Sequence, residues 1–165
     1  DWAENRIVPD FFRAIQKNNS LFIRNPESTR PWQHVLDPLS GYLTLAMSLY
    51  KYGKEYSGGW NFGPIGDTNK SVRELIEQMI KSNGSGCYDA LEKKADFHEA
   101  GLLNLDISKA MHLLKWKPSL DFTETVEMTV QGYQDESSNN VYDRRIKQIE
   151  KYIAIATSKD QHWTK

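Results

Sequence analysis

A chain of 165 residues is long enough for one ordinary domain with its own core. Charged residues make up 26% and apolar residues 39%, and the formal net charge of −1 gives no overall attraction to nucleic acid or an anionic membrane. Cys87 is the single cysteine, which excludes an internal disulfide.

The chain opens Asp1-Trp2 without an initiator Met, and the expectation is that it enters its coding sequence midway. A first helix is expected over Ile7 to Lys17. Leu21-Phe22-Ile23-Arg24, bounded by polar residues and by Asn25-Pro26, reads as a strand. Arg30 is expected at the entrance of a second extended piece. Asp37 is expected to cap the next helix, with Pro38 at its first position. Leu39, Tyr42, Leu43, Ala46, Leu49 and Tyr50 form the apolar stripe of that helix, and Gly53 ends it. Trp60-Asn61-Phe62, set between Gly58-Gly59 and Gly63-Pro64, reads as a strand. Ser71-Val72-Arg73-Glu74 is a capping box, followed by a stripe of Val72, Leu75, Ile76, Met79 and Ile80 that runs to Gly84.

Leu102-Leu103-Asn104-Leu105 reads as another strand. Asp106 starts a short helix carrying Ile107, Ala110, Met111 and Leu114, which Pro118 terminates. Asp121 and Glu124 repeat the capping logic ahead of Phe122, Val126, Val130 and Tyr133. From about Asn139, Tyr142, Ile146, Ile149, Ile153 and Ala156 make a narrow stripe on a charged helix. That stripe suits a surface helix docked by one edge, or a contact for another subunit. Strands alternating with helices give an α/β class, mostly helical with short strands. The chain divides into residues 1–136 and a C-terminal surface helix and tail over 137–165.

Catalytic machinery is nearly missing. No Gly-x-Gly-x-x-Gly loop occurs, and Gly84-Ser85-Gly86 reads as the end of a helix. His34, His98, His112 and His162 lack metal-ligand spacing, so no metal site is expected. There is no Gly-x-Ser-x-Gly elbow. Tyr50 and Lys54 have the spacing of a Tyr-x-x-x-Lys pair, but Gly53 separates them and Tyr50 lies on the apolar stripe, so Tyr50 reads as a core residue. Asn18, Asn69 and Asn83 begin Asn-x-Ser sequons, which read as coincidental in a chain without secretory features.

Ligand-binding signals are clearer. Arg30 suits a pyrophosphate, which a guanidinium grips with two parallel hydrogen bonds; a surface arginine paired with a carboxylate is the alternative. Arg24 could assist it or be a solvated strand-end charge. His98-Glu99 could offer a carboxylate to a ribose hydroxyl or be an ordinary loop pair. Trp32 is most simply core.

Several stretches together resemble the C-terminal portion of the CDP-glucose 4,6-dehydratases, within the extended short-chain dehydrogenase/reductase and NAD-dependent epimerase/dehydratase family. The likeness runs from Asp1 to about Tyr152. It is carried by Asp1-Trp2-Ala3-Glu4-Asn5-Arg6, Ile23-Arg24-Asn25-Pro26, Arg30-Pro31-Trp32-Gln33-His34-Val35 and Ser40-Gly41-Tyr42-Leu43. Further on it is carried by Trp60-Asn61-Phe62-Gly63-Pro64, His98-Glu99-Ala100, Leu105-Asp106-x-Ser108-Lys109-Ala110, Leu114-x-Trp116-x-Pro118 and Gln148-Ile149-Glu150-x-Tyr152. The Arg-Pro-Trp-Gln-His-Val wording marks the cytidine subgroup, whereas Asn-Phe-Gly-Pro and Leu-x-Trp-x-Pro occur across the wider family.

The resemblance implies a substrate-binding portion with the Rossmann core absent. NAD and the catalytic Tyr-x-x-x-Lys would belong to a missing N-terminal domain, so no catalytic or cofactor-binding residue is expected within 1–165. It implies oxidation of a CDP-sugar at C4, loss of water across C5–C6, and return of the hydride to C6. The product would be a CDP-4-keto-6-deoxy sugar for deoxysugar and surface-polysaccharide synthesis. By position, Arg30 corresponds to the arginine that grips the diphosphate, and Asn5 and Arg6 to further diphosphate contacts. Phe22, Ile23 and Arg24 lie on the strand beside the base. His98 and Glu99 fall in the loop that reaches the ribose or diphosphate, where relatives often carry an Arg-Pro-Gly run that this chain lacks.

The implied setting is cytoplasmic and homodimeric, with no nucleic acid and no membrane. The isolated chain is expected to be inactive, to bind CDP weakly at most, and to be less stable than the parent, or to associate, because Trp60 to Phe62 would lack its sheet. Other readings are an epimerase or dehydratase acting on a UDP, GDP or dTDP sugar, and a non-catalytic helical interaction module.

Overall fold

The computed structural model describes residues 2–65, 69–90, 105–134 and 140–165. The expected strand at 102–105 lies outside them except for Leu105, which is not in a strand, as do His98, Glu99 and the expected boundary at 136/137. The elements in chain order are α1 (Ile7–Gln16), β1 (Leu21–Ile23), β2 (Thr29–Pro31), α2 (Leu36–Tyr52), β3 (Asn69–Ser71), α3 (Val72–Asn83), β4 (Tyr88–Ala90), α4 (Ser108–Leu113), α5 (Phe122–Gln134) and α6 (Val141–Ser158). Two pairs of three-residue strands hold the sheet structure of the described residues. β1 runs parallel to β4, with Leu21 opposite Tyr88 and Ile23 opposite Ala90. β2 runs antiparallel to β3, with Arg30 opposite Lys70. Helices dominate, and no Rossmann core is present in the described residues.

Three apolar clusters organise the packing. Phe11 and Phe12 of α1, Leu21 and Ile23 of β1, Leu75, Ile76 and Met79 of α3, and Val126 and Val130 of α5 form the largest. This core is the one anticipated from the 3.6-residue stripes of α3 and α5. A second cluster gathers Phe62, Ile107, Ala110, Leu114 and Trp116, and a third joins Leu120, Met128 and Tyr152.

Local signals fix several helix ends. Ser71 Oγ accepts from the Glu74 amide (3.1 Å) while the Ser71 amide donates to Glu74 Oε2 (2.8 Å), which closes the expected capping box of α3. Asp121 and Glu124 make the same reciprocal pair ahead of α5, each bond 2.8 Å. Gly84 ends α3 in the left-handed conformation, φ 77°. Gly53 ends α2 at φ 69°.

Several expectations are corrected. Trp60 to Phe62 is not a strand. Phe62 instead turns inward, 7% exposed, and meets the Trp116 ring edge-on at 4.9 Å, while Trp60 stacks on Tyr56 and donates from Nε1 to its carbonyl. Arg30 sits in the middle of β2 and not at the entrance of a following strand. Asp37 does not cap α2, because the helix begins one residue earlier and Val35 stands at the cap position. The Asp37 side chain turns into the protein, where it is 1% exposed.

The stripe of α2 is also reversed. Leu43, Met47 and Tyr50 are 68%, 74% and 95% exposed, whereas Ser40 and Gly41 are buried. Tyr50 is therefore not a core tyrosine. The buried face of α2 is polar because it carries a hydrogen-bond network. Asp37 Oδ1 accepts from the Ser119 amide (2.7 Å) and from the Tyr152 hydroxyl (2.9 Å). Ser40 Oγ accepts from Trp116 Nε1 (2.9 Å) and donates to the Asp37 carbonyl (2.7 Å). Burial raises the Asp37 carboxyl above its usual range, and these donors oppose the shift.

α6 docks by one edge as expected, but along a different line. Tyr152 and Ala156 are buried and Arg145 and Gln148 are half-buried, while Tyr142 is 74% exposed and Ile146, Ile149 and Ile153 are 37–44% exposed. The bond from Tyr152 to Asp37 sets this rotation, because an unsatisfied buried carboxylate would be more costly than the exposure of a few aliphatic carbons.

Candidate functional site

β1, β2, the start of α1, and the facing sides of α5 and α6 enclose an open cleft of about 1010 Å³. Asn5, Arg6, Phe22, Ile23, Arg24 and Arg30 all line it. His98 and Glu99 lie outside the described residues.

The local fold explains how each side chain arrives. Asn5 adopts φ 59°, a left-handed conformation that asparagine tolerates better than most residues, and this turns the chain into α1 just after Arg6. Strand alternation in β1 buries Leu21 and Ile23 and leaves Phe22 57% exposed, so the aromatic face is presented at the cleft. The Ile23 side chain is 2% exposed and belongs to the core. Arg30 is half-buried on β2, and its Nη1 donates to the Thr29 carbonyl (2.7 Å).

Trp32 and Gln33 continue the wall. The Trp32 indole donates to the Lys70 carbonyl (2.8 Å), which staples the loop after β2 to β3. Gln33 Nε2 donates to the Phe62 carbonyl (3.2 Å), and its buried Oε1 has no hydrogen-bond partner among the described residues. A buried acceptor left open beside a cleft suits a ligand hydroxyl or amine. His34 is buried and also lines the cleft. Its Nδ1 accepts from the Leu36 amide (3.3 Å), so the neutral ring carries its proton on Nε2. Burial, with the Arg145 charge second, lowers its pKa to about 4.

Arg145 and Gln148 of α6 are lining residues that sequence reasoning did not single out. The Gln148-Ile149-Glu150-x-Tyr152 stretch was a signal, read only as a resemblance. Arg6, Arg24, Arg30 and Arg145 reach the cleft from four different parts of the chain, and among the described residues Asp10 is the one acidic lining residue, itself paired with Arg13. The result is a cationic cleft with an aromatic face on a chain whose overall charge is close to zero. This arrangement can hold a polyanion beside a flat ring. Among the described residues no cluster of His, Cys, Asp or Glu could hold a metal, and no helix is long and apolar enough to cross a membrane.

No family model matches the chain. It is 42% identical over 134 residues to CDP-glucose 4,6-dehydratase of Salmonella typhimurium, a match that covers 81% of this chain and 37% of that protein. Among solved structures, UDP-glucuronic acid 4-epimerase from Bacillus cereus, in complex with UDP-glucuronic acid and NAD, superposes with a TM-score of 0.61 at 21% identity, over 76% of this chain and 38% of that one. dTDP-glucose 4,6-dehydratase from Bacillus anthracis, in complex with NAD, gives 0.61 at 20% identity, over 83% and 40%. UDP-N-acetylglucosamine 4-epimerase from Bacillus cereus gives 0.58 at 22% identity, over 78% and 42%. The chain thus spans well under half of each of these relatives, and it shares a fold with part of the epimerase and dehydratase structures.

Proposed function

We propose that this chain, a relative of CDP-glucose 4,6-dehydratase with the fold seen in part of the sugar-nucleotide epimerases and dehydratases, is the C-terminal, substrate-holding portion of such a dehydratase. The convergence of Arg6, Arg24, Arg30 and Arg145 on one cleft carries this reading. A nucleoside diphosphate sugar brings two negative phosphates and a planar base, and the cleft offers guanidinium groups and the exposed Phe22 ring. Arg30 grips the diphosphate, Asn5, Arg6 and Arg24 assist it, and Phe22 faces the base. His98 and Glu99 belong to the loop that reaches the ribose or the diphosphate. Gln33 Oε1 supplies an acceptor that has no donor among the described residues.

The residues present do not fit NAD. A dinucleotide cradle needs a Gly-rich turn between a strand and a helix of a parallel sheet, and no Gly-x-Gly-x-x-Gly occurs in the sequence. NAD therefore belongs to another part of the intact enzyme, as does the hydride and proton chemistry. Tyr50 and Lys54 do not replace it, since Tyr50 lies fully out on α2 and Lys54 follows the Gly53 break. The intact enzyme is a cytoplasmic homodimer that makes CDP-4-keto-6-deoxyglucose for deoxysugar and polysaccharide synthesis, and the 165 residues alone have no turnover.

Titration calorimetry on the full-length protein tests the reading. Arg30→Gln should weaken CDP binding by about 10- to 100-fold, the range of a lost charge-assisted pair, while cytidine binding stays unchanged. Equal affinity of the variant and parent proteins for CDP would exclude Arg30 as the diphosphate clamp. A second reading, an epimerase or dehydratase of UDP or dTDP sugars, is favoured by the solved structures that share the fold. It predicts that UDP or dTDP competes better than CDP.

A further inference from the structure

Helix α6 brings polar as well as apolar side chains to its inward edge. Arg145 and Gln148 are half-buried on that edge and line the cleft, beside Ile146 and Ile149, which are 37% and 39% exposed. Tyr152 and Ala156 anchor the other end, 3% and 0% exposed.

The Arg145 side chain is also built into place. Its Nη1 donates to Gln148 Oε1 (3.2 Å), and Gln148 Nε2 donates to the Met128 carbonyl of α5 (2.7 Å). Gly132 of α5 lies beneath the pair: a Cβ there would stand 3.0 Å from Arg145 Nη1 and 3.2 Å from Gln148 Nε2. Glycine in a helix interior is unfavourable, so the space it leaves has a use. A half-buried guanidinium added to a cleft that already holds three others raises the local positive potential, which favours occupation by an anion.

We infer that Arg145 is a phosphate-binding residue and that α6 forms one wall of the diphosphate site, with Gly132 giving the guanidinium its room. The inference rests on the reading of the cleft as a nucleotide-sugar site and adds to it a residue outside the Arg30 loop. Gln148 acts as a positioning residue, since its amide fixes the fork through the Met128 carbonyl.

Three variants of the full-length protein, titrated with CDP and separately with cytidine, provide the test. Arg145→Gln should lose about 10- to 100-fold in CDP affinity and keep its affinity for cytidine. Gly132→Ala should lose CDP affinity by a smaller factor while its melting temperature stays level or rises, because alanine is the better helix former. Arg145→Lys should recover part of the loss, since it restores the charge without the fork. Arg30→Gln serves as the reference. If Arg30→Gln weakens CDP binding and Arg145→Gln does not, the role of Arg145 falls and the cleft reading stands. If neither variant changes CDP affinity, the cleft reading itself falls. Parallel losses for CDP and cytidine would show that Arg145 only supports the fold, which also overturns the assignment.

Discussion

His34 is held neutral by its surroundings. It is buried, it accepts a hydrogen bond from the Leu36 amide at Nδ1, and it feels the Arg145 charge. Burial is the larger cause, and together they lower its pKa from 6.5 to about 4. The sign of the linkage follows. A histidine whose folded pKa is depressed stabilises the fold above its unfolded pKa, and the benefit is lost as pH falls from about 6.5 toward 4. The full effect is roughly 3 kcal/mol, taking about 1.4 kcal/mol per pH unit. Asp37 works the other way, because its carboxyl is raised by burial and acidification relieves that cost. His34→Asn separates the two. The parent should lose stability in urea unfolding between pH 6.5 and 4, and the variant should show a clearly flatter slope over that window. Identical slopes would show that His34 titrates normally in the folded state.

At the scale of elements, α2 shows how far periodicity can mislead. Gly41 sits on its buried face, where a Cβ would lie 2.3 Å from Phe62 Cδ1 and 2.6 Å from Cε1. Replacing a helical glycine by alanine ordinarily gains about 1 kcal/mol. Here the ring is locked against Trp116 and cannot retreat, and overpacking of this kind costs about 1–3 kcal/mol. Gly41→Ala should therefore destabilise the protein, seen as a lower denaturation midpoint with an unchanged m-value. A gain in stability would mean that Phe62 is not packed on α2 in solution. α3 and α5 were legible from sequence because each buries an apolar stripe and each opens on a capping box, whereas α1 begins after Arg6 without a side-chain cap. The end of α2 at Gly53 carried its own signal. The buried side of α2 was not, since Ser40, Gly41 and Asp37 look like surface residues until Ser119, Trp116 and Tyr152, far along the chain, arrive to satisfy them. Arg30, Arg24 and Arg6 could be nominated from short motifs. Arg145 could not, because its place on the inward edge of α6 depends on distant contacts, among them the bonds from Tyr152 to Asp37 and from Gln148 to the Met128 carbonyl. Trp60 to Phe62 failed as a strand because glycines on both sides mark a loop as readily as a strand end.

For the molecule as a whole, apolar surface is unevenly placed. Leu43, Met47 and Tyr50 form one outward line on α2 with Leu39 beside them, and none of these four belongs to the three interior clusters, whereas Tyr42 meets the Phe62 ring edge-on at 5.3 Å. A contiguous apolar line of this kind promotes association, and a net charge of −1 supplies little repulsion to oppose it. The 165-residue chain should then sediment as a concentration-dependent mixture at physiological salt. The double variant Leu43→Glu with Met47→Lys tests whether this line is the cause. The two positions are four apart on one helical face, so the new charges form an ion pair in the favourable order, worth about 0.2–0.5 kcal/mol. Because both side chains are about two-thirds or more exposed, substitution removes little buried area, and the melting temperature should stay within about 2–4 °C of the parent. The sedimenting species should shift toward monomer. If the variant instead melts far below the parent at a dilution where the parent is monomeric, those side chains are packed within the single chain, and the outward line of α2 is not its surface in solution.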